Sequence, residues 1–469
     1  MASSPQTERQ EDSAARLARR DGATTGHVRV VFGRSSREVY EVRAAGTRFG
    51  RATAAAACDV QIDDPLMSRL HIRIERGTDR WQIVDLGSRN GGYVDGRGFD
   101  PESCTPIGDG AVLRLGTTLL VFRSSPPTRD EPAQTGTFPG LSPAAVSVRQ
   151  RIEALATATG HVLVLGETGT GKERVARAIA GNRAGRLCVT QNCAELTREL
   201  ARSELFGHVR GAFSGALHDK PGLVDLAGDG VLFLDEIGEL SLDVQGDLLR
   251  FLEDGSYRPI GAVALKQSSA RVVAATNVDL ENAVTTNQFR RDLLARLRAS
   301  NEPLELAPLR ERREDIAPWS RMFLAEAGHA RPESAWTAGA LECLLLYPWL
   351  ENLRELRRVV RALVAERCPV PCATEHLPQR FRTLRSQLRT PLAAPDPPAP
   401  PAPQAPQAPQ ATRRDPTRDE LEDALRRTQG SVRAAAKELG IERRKLYRLC
   451  ERFEIALHEH RDAPLRDDD

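Results

Sequence analysis

The sequence predicts a multidomain chain: a β-sandwich, then an α/β body on a parallel sheet with an α-helical lid, then a short all-α helix-turn-helix body. Three observations carry that prediction. Two Pro-rich stretches, at 124–138 and 391–410, divide the 469 residues; neither can fold alone, and the second reads as a semi-rigid polyproline II spacer. Before the first stretch, apolar residues alternate with period two in short runs between Gly, Asp and Pro turns, the pattern of half-buried strands. After it, an apolar strand runs into a Gly-rich loop and a helix, and further apolar strands alternate with helical patterns, which is the α/β signature.

These signals place a disordered polar amino terminus at 1–26, the sandwich at 27–123 and a linker at 124–137. The α/β body follows at 138–386 with its lid from about 308, then a Pro/Ala-rich linker at 387–416, the helical body at 417–457 and a tail at 458–469. A hydrophobic fraction of 40% excludes a wholly disordered chain. The longest apolar run, 341–350, is broken by Glu342 and Pro348 and falls short of the ~18 residues of a membrane span. Residues 1–26 lack the apolar stretch of a secretory signal. Eight scattered Cys read as reduced thiols. The expectation is a soluble cytoplasmic protein with no membrane partner. Cys368 and Cys372 form one C-x3-C pair with no second pair, so they are not expected to bind zinc. Formal net charge is +2, and only five of 66 basic residues are Lys; an Arg preference spread over the whole chain carries no functional meaning.

In the first body, strands are expected at 27–32, 38–42, 71–75, 81–85 and 111–122. Many short strands in about a hundred residues suggest a sandwich. Four pieces stand out along it: Gly50-Arg51, the acidic turn Asp63-Asp64-Pro65, Ser68-Arg69-Leu70-His71, and Gly87-Ser88-Arg89-Asn90-Gly91. Together and in this order they resemble a forkhead-associated (FHA) domain, a family that reads phosphothreonine from loops at one end of two sheets. Charge-assisted bonds from Arg and hydroxyl groups to a phosphate are the physical basis. The resemblance implies that Arg51 and Ser68 hold the phosphate, that Arg69 and Arg89 flank it, and that Asn90 bonds the peptide backbone. His71 is expected to brace the loop presenting Ser68. The family's Asn-Gly-Thr is here Asn90-Gly91-Gly92.

The second body opens with a strand at 161–165, the loop Gly166-Glu167-Thr168-Gly169-Thr170-Gly171-Lys172-Glu173, and a helix at 174–180. The loop fits the P-loop pattern G-x4-G-K, whose backbone N–H groups cradle phosphates at a helix N-terminus while the Lys reaches the β and γ groups. ATP is the expected cofactor. The usual Ser or Thr after the Lys is Glu173, so the direct hydroxyl ligand to Mg²⁺ is absent. An apolar strand ends in Asp235-Glu236, where Asp235 is expected to hold Mg²⁺ and Glu236 to orient the attacking water. Between the two lies Gly211-Ala212-Phe213-Ser214-Gly215-Ala216; an exposed Phe in a Gly-rich loop is costly unless the ring meets a partner.

This hexapeptide resembles the Gly-Ala-Phe-Thr-Gly-Ala loop of sigma-54-dependent transcription activators, a branch of AAA+ ATPases. The likeness implies that residues 211–216 contact the sigma factor, with Ser214 keeping the Thr hydroxyl. That family also tolerates Glu after the P-loop Lys. By the same likeness, Asn192 restrains the catalytic Glu, Asn277 is the sensor beside the nucleotide, Arg290 and Arg296 are fingers acting on a neighbour's ATP, and Arg354 is the lid's second sensor. Fingers supplied in trans require a ring, in this family a hexamer. The family's Pro-Gly ahead of the last Arg is here Leu350-Glu351.

In the third body, small or apolar residues at 435, 439, 441, 446 and 449, with Ala436 and Gly440, suit a helix-turn-helix. The run Gly-Ile-Glu-Arg-Arg-Lys-Leu-Tyr-Arg resembles the Fis-type motif that closes many such activators, which makes Arg443, Arg444, Lys445 and Arg448 the candidates for DNA contact. The expected function is a sigma-54-dependent activator that binds enhancer DNA, hydrolyses ATP to remodel sigma-54 RNA polymerase, and answers to a phosphothreonine protein or a Ser/Thr kinase. The rival readings are a phosphopeptide-binding, DNA-bound adaptor or repressor with a non-catalytic AAA+ scaffold, and a remodeller of some other target.

Overall fold

The computed structural model describes residues 25–35, 38–53, 58–99, 104–127, 138–181, 188–329, 331–389 and 416–428, with positions 435, 436, 438, 439, 446, 449, 453 and 455 beyond them. The chain forms two units, Met1–Leu392 and Ala393–Asp469.

Eleven strands open the first unit. They are β1 (Thr25–Phe32), β2 (Val39–Arg43), β3 (Thr47–Arg51), β4 (Val60–Ile62), β5 (Ile72–Arg76), β6 (Trp81–Asp85), β7 (Gly92–Val94), β8 (Arg97–Phe99), β9 (Cys104–Ile107), β10 (Val112–Leu115) and β11 (Thr118–Arg123). They stack as two sheets, β2-β1-β11-β10-β7-β8 over β4-β3-β5-β6-β9. Alternation drives the stacking: Trp81, Ile83 and Asp85 of β6 point inward while Gln82 and Val84 are only half-buried. Phe49, Ile62, Ile72, Ile74, Ile83, Leu113, Leu120 and Phe122 fill the layer between the sheets, with Trp81 tilted against Phe122 at 5.4 Å.

The run at 111–122, expected as one strand, is a hairpin. Leu115 lies opposite Thr118, and Gly116 turns the chain at φ +61°. Asp64, expected only to mark a turn, is buried beneath this hairpin, where its carboxylate accepts from Thr117 N at 2.7 Å and from Thr118 Oγ1 at 2.9 Å.

The α/β body holds a five-stranded sheet in the order β13-β14-β17-β12-β18, with β12 (Val162–Gly166), β13 (Cys188–Asn192), β14 (Val231–Asp235), β17 (Arg271–Thr276) and β18 (Leu304–Leu306) all parallel. A small hairpin of β15 (Ser256–Tyr257) and β16 (Lys266–Gln267) stands apart. Sheets covered on both faces select continuous apolar runs rather than alternation. Thus Val231, Phe233, Val273 and Ala275 pack on one side, and Leu232, Leu234, Val272 and Ala274 on the other. The covering helices are α1 (Pro143–Thr157), α2 (Lys172–Gly181), α3 (Arg198–Phe206), α4 (Leu223–Ala227), α5 (Leu242–Asp254), α6 (Leu280–Thr285) and α7 (Arg291–Ala299). Ser142 caps α1 by accepting from Ala145 N, with Pro143 in the first turn, the arrangement that satisfies free N–H groups at least cost.

The lid comprises α8 (Ile316–Glu326), α9 (Ala338–Leu346), α10 (Asn352–Ala365) and α11 (Gln379–Arg389). It packs on the sandwich. Val31, Val112, Leu119 and Val121, on the outer face of the first sheet, belong to the same apolar cluster as Leu341, Leu345 and Trp319 of the lid. All six residues of β11 are buried; one face serves the sandwich core and the other the lid. Ion pairs line this seam, the pair of Arg123 and Glu314 buried and that of Arg313 and Asp95 partly open to solvent. The Arg123 guanidinium bonds both oxygens of Glu314 at 2.5 Å and Asp109 at 2.9 Å. Arg114 bonds Glu342 at 2.9 Å and Arg313 bonds Asp95 at 2.6 Å.

In the second unit, α12 (Arg418–Arg427) is capped by Thr417, whose N–H donates to Glu420 at 2.7 Å. Its Leu421, Ala424 and Leu425 share a core with Ala435, Ala436, Leu446 and Leu449, and Leu439 packs against it. The small and apolar positions at 435, 436, 439, 446 and 449 therefore face one another as their spacing suggests. Arg443, Arg444, Lys445 and Arg448, together with 440 and 441, lie outside the described residues.

Candidate nucleotide site, tip loop and sandwich pocket

The P-loop leaves β12 at Gly166 and enters α2 at Lys172, placing the helix N-terminus at the carboxyl end of the central strands. Gly169 has φ +79°, and a Cβ there would lie 2.2 Å from Glu351 O, so the loop and the lid touch backbone to backbone at a position only Gly can occupy. A cleft of about 500 Å³ opens here, lined on one side by Gly171, Lys172, Asp235 and Glu236 and on the other by Arg354 and Arg358. Cations on the lid thus face the loop expected to hold phosphates.

Lys172 is 5% exposed. Its Nζ donates to Gly166 O at 3.0 Å and approaches Glu236 Oε1 at 3.4 Å. Glu236 Oε2 accepts from Asn277 N at 3.1 Å, and Asn277 Nδ2 donates to Thr168 Oγ1 at 2.8 Å. Glu236 adopts the left-handed region at φ 52°, an uncommon state for a non-Gly residue that clusters at functional sites. The Asp235 carboxyl is pushed up from its ordinary value, chiefly by burial, against the pull of Lys172 and with the help of Glu236. Two acids and one Lys leave this corner able to take a divalent cation.

Other expected residues are arranged differently. Asn192 is in register with Asp235 across β13 and β14, yet its side chain accepts from Ala194 N and bonds Glu195; Glu236 is held by Lys172 and Asn277 instead. The Glu167 side chain turns to the lid, bonded by Arg310 at 2.6 and 2.8 Å and by Asn352 at 3.1 Å, and Arg310 holds its carboxyl below the ordinary value. Thr170 Oγ1 closes the loop on Glu167 O, and Glu173 pairs with Arg177 one turn on. Arg290 pairs with Asp292, while Arg296 bonds the carbonyls of Leu252 and Glu253 at the end of α5. Neither lines the cleft of its own chain.

Sequence reasoning missed the joint between loop and lid. Asn352, fully buried and at φ 53°, donates to Thr168 O and accepts from Leu309 N. Arg312, 2% exposed, donates to Thr170 O at 2.9 Å. The available signal was the dense charge between apolar Leu309 and Ile316, which a solvated turn explained equally well. The turn at Leu350-Glu351 keeps Arg354 on the cleft: Leu353 N bonds Gly169 O at 2.9 Å.

Residues 211–216 form a tip closed by Gly211 N to Ala216 O and Ala216 N to Phe213 O, with Ser214 at its apex between Gly211 and Gly215, both at positive φ. The Phe213 ring is 43% exposed and rests edge-on against His208 at 5.0 Å. A second loop supports it: Ala212 packs against Gly261 and Val209 N bonds Ile260 O. That loop adds Val263 and Leu265, both exposed as is Leu217, so the tip presents several apolar side chains rather than the one Phe.

In the sandwich, Arg51, Ser68, Arg69, Arg89 and Asn90 line one pocket of about 500 Å³. Ser68 Oγ accepts from Arg89 N at 3.0 Å, and Asn90 Nδ2 donates to Leu66 O at 2.9 Å. His71, fully buried, accepts from Ser68 N through Nδ1 and donates from Nε2 to Gly91 O. Burial holds the His71 imidazole below its ordinary value; neutral, it ties two pocket loops together. Gly92 is required by close approach, because a Cβ would lie 2.4 Å from the Phe99 ring.

Comparison with known proteins gives matches along most of the chain. Family models match for the FHA domain at 47–116, the Sigma-54 interaction domain at 138–301, the AAA+ ATPase lid domain at 310–393 and the bacterial regulatory protein, Fis family, at 414–449. The chain is 44% identical over 240 residues to the alginate biosynthesis transcriptional regulatory protein AlgB of Pseudomonas putida, covering 50% of this chain and 52% of that one. It is 39% identical over 308 residues to the anaerobic nitric oxide reductase transcription regulator NorR of Aeromonas hydrophila, covering 62% and 59%. Among solved structures, NtrX from Brucella abortus in complex with ATP overlaps 69% of this chain and 71% of its own, at a TM-score of 0.47 and 27% identity. The chain spans about half the length of the first curated relatives it matches. Along its four matched segments the chain carries an FHA domain, a Sigma-54 interaction domain with an AAA+ ATPase lid behind it, and a Fis-family segment, and over the ATPase segment it is similar to transcriptional regulators of the AlgB and NorR kind.

Proposed function

We propose that this protein activates transcription by ATP-driven remodelling of sigma-54 RNA polymerase, under control of phosphothreonine binding to its sandwich. The observation that carries the reading is the convergence of Lys172, Asp235 and Glu236 at one cleft whose opposite wall bears Arg354, with Asn277 bonded to Glu236 behind it. Lys172 and the loop N–H groups suit the triphosphate, and Asp235 suits Mg²⁺, which when bound would neutralise phosphate charge. Glu236, held between Lys172 and Asn277, would orient the attacking water. Arg290 and Arg296, which do not line the cleft of their own chain, suit a neighbour's site in a ring, with a hexamer as the expected assembly. Asn192 would act on Glu236 only after turning from Ala194.

The tip of Phe213, Val263 and Leu265 is the surface offered to the sigma factor, and the basic residues 443–445 and 448 of the Fis-like segment would contact enhancer DNA. Regulation has a route through the seam. Arg123 of the sandwich grips Glu314, and the same short segment sends Arg312 to Thr170 in the P-loop, so a phosphopeptide that shifts the sandwich pulls on the nucleotide site.

The test is sigma-54 binding by the purified protein with ATP and with a mimic of the γ-phosphate transition state. Nucleotide-dependent binding lost in Phe213→Ala, with ATP turnover lost in Lys172→Ala, is expected. Turnover without sigma-54 binding would assign the tip to another target. Absence of turnover would leave the adaptor reading.

A further inference from the structure

Just past the end of α10 the chain makes a tight loop that brings three soft donors together. Arg367 turns it at φ 53°, Cys368 N bonds Leu363 O at 3.0 Å, and Cys372 is pinned through its N–H to Ala335 O and its carbonyl to Thr337 N. His376, at the end of the next 3-10 turn, comes back over the pair. One ligand atom from each of Cys368, Cys372 and His376 lies within 4.8 Å of the others. The spacing C-x3-C is uninformative in the sequence because its third donor comes from a separate turn.

We propose that Cys368, Cys372 and His376 form a site for a single thiophilic divalent cation of the zinc class, with a fourth position left to solvent or a small ligand. Two thiolates and an imidazole are the donor set such ions favour, and tetrahedral Zn–S and Zn–N bonds of ~2.3 and ~2.0 Å place donors at such separations. Cys372 is 5% exposed, and both Cys border a small cavity of about 190 Å³ that Trp336 and Leu363 wall on its apolar side.

Binding must also rearrange the turn. His376 Nδ1 accepts from Ala373 N at 3.1 Å, which puts the ring proton on Nε2. If Nδ1 becomes the ligand, its lone pair leaves Ala373. If Nε2 does, its proton moves to Nδ1, which can then no longer accept. Either way the Ala373 N–H is released. The site therefore clamps the carboxyl end of α10, the helix whose first turn carries Asn352 and Arg354 at the P-loop, to the loop that leads into α11.

The test uses the reduced full-length chain titrated anaerobically with Co²⁺ as a spectroscopic stand-in, then with Zn²⁺ in competition. One equivalent of Co²⁺ with sulfur-to-metal charge-transfer and strong tetrahedral bands is expected, displaced by Zn²⁺. The bands are lost in Cys368→Ser and unchanged in Cys104→Ser, a distant exposed thiol. His376→Gln, at a half-buried position that does not endanger the fold, weakens binding by at least ~10-fold, and amide exchange at Ala373 accelerates when metal is added to the unaltered chain. No charge-transfer band in the reduced chain, or a band that survives Cys368→Ser, overturns the proposal. So does a 368–372 disulfide trapped from cells when the reduced chain binds no metal, which would make the pair a redox couple instead.

Discussion

Arg123, on the last strand of the sandwich, grips both carboxylate oxygens of Glu314 in the lid while its third nitrogen holds Asp109. Glu314 is fully buried and Arg123 7% exposed. The pair joins the domain that would read phosphate to the segment whose Arg312 touches the P-loop.

Removing one partner of such a pair leaves the others charged and dry. Arg123→Ala is expected to lower the stability of the seam by about 3–5 kcal/mol, whereas Arg123→Met combined with Glu314→Leu recovers most of that loss. Denaturant unfolding of the full chain, followed by amide exchange in β11 and the 309–316 segment, reads both. A loss below about 0.5 kcal/mol in the single variant would mean that the seam is open in solution.

Asn352 is a second point of failure. Asn352→Ala abolishes the bonds to Leu309 N, Glu167 and Thr168 O and puts a Cβ-bearing residue other than Asn at positive φ. The expected cost is about 2–4 kcal/mol, with weaker binding of a fluorescent ATP analogue. Asn352→Gly relieves only the backbone part, by about 1 kcal/mol. Equal affinities in all three proteins would show that the lid does not depend on this side chain.

Gly92 stands where FHA domains usually carry Thr. Restoring that residue is expected to harm rather than help: Gly92→Thr drives a side chain into the Phe99 ring and costs about 1–3 kcal/mol. Thermal unfolding and phosphopeptide titration check it. Tighter peptide binding at unchanged stability would refute the packing argument.

His161 accepts from Val272 N and donates to Leu252 O, and burial lowers its pKa to about 4. The unfolded value is higher, at about 6.5, so as pH falls the unfolded chain takes the proton first and stability declines between pH 6.5 and 4. The contribution is about 3 kcal/mol across that window. In His161→Gln the difference in unfolding free energy between pH 7 and pH 4.5 should shrink by about 2 kcal/mol relative to the unaltered chain. An unchanged difference would place the acid sensitivity elsewhere.

Much of the site was legible because its signals are local. A loop that binds phosphate must be rich in Gly and end in Lys at a helix start, and residues 166–172 say so without a fold. The strand ending in Asp235-Glu236 and the Gly-flanked Phe213 are equally short-range. Asn192 shows the limit: the family likeness marked the residue, but neither its register beside Asp235 nor its side chain turned to Ala194 was legible. The apolar run Leu119–Leu120–Val121–Phe122 held a clue passed over: a strand with one wet face alternates, and this one does not.

The sequence by itself determined the order of the three bodies, the P-loop, the acidic strand end and the Gly-flanked tip, because each is written in a few adjacent side chains, while the pocket residues of the sandwich were legible only through a family likeness spread over forty positions. Only the tertiary structure decided that the sandwich rests on the lid, that Asn352 and Arg312 lock the lid to the loop, and that His376 closes on Cys368 and Cys372. The seam and the joint between lid and loop connect segments more than a hundred residues apart, while the Cys and His donors are near in sequence and are brought together only by the turns between them; a buried charge or a metal donor reads as an ordinary surface residue until packing removes the water around it.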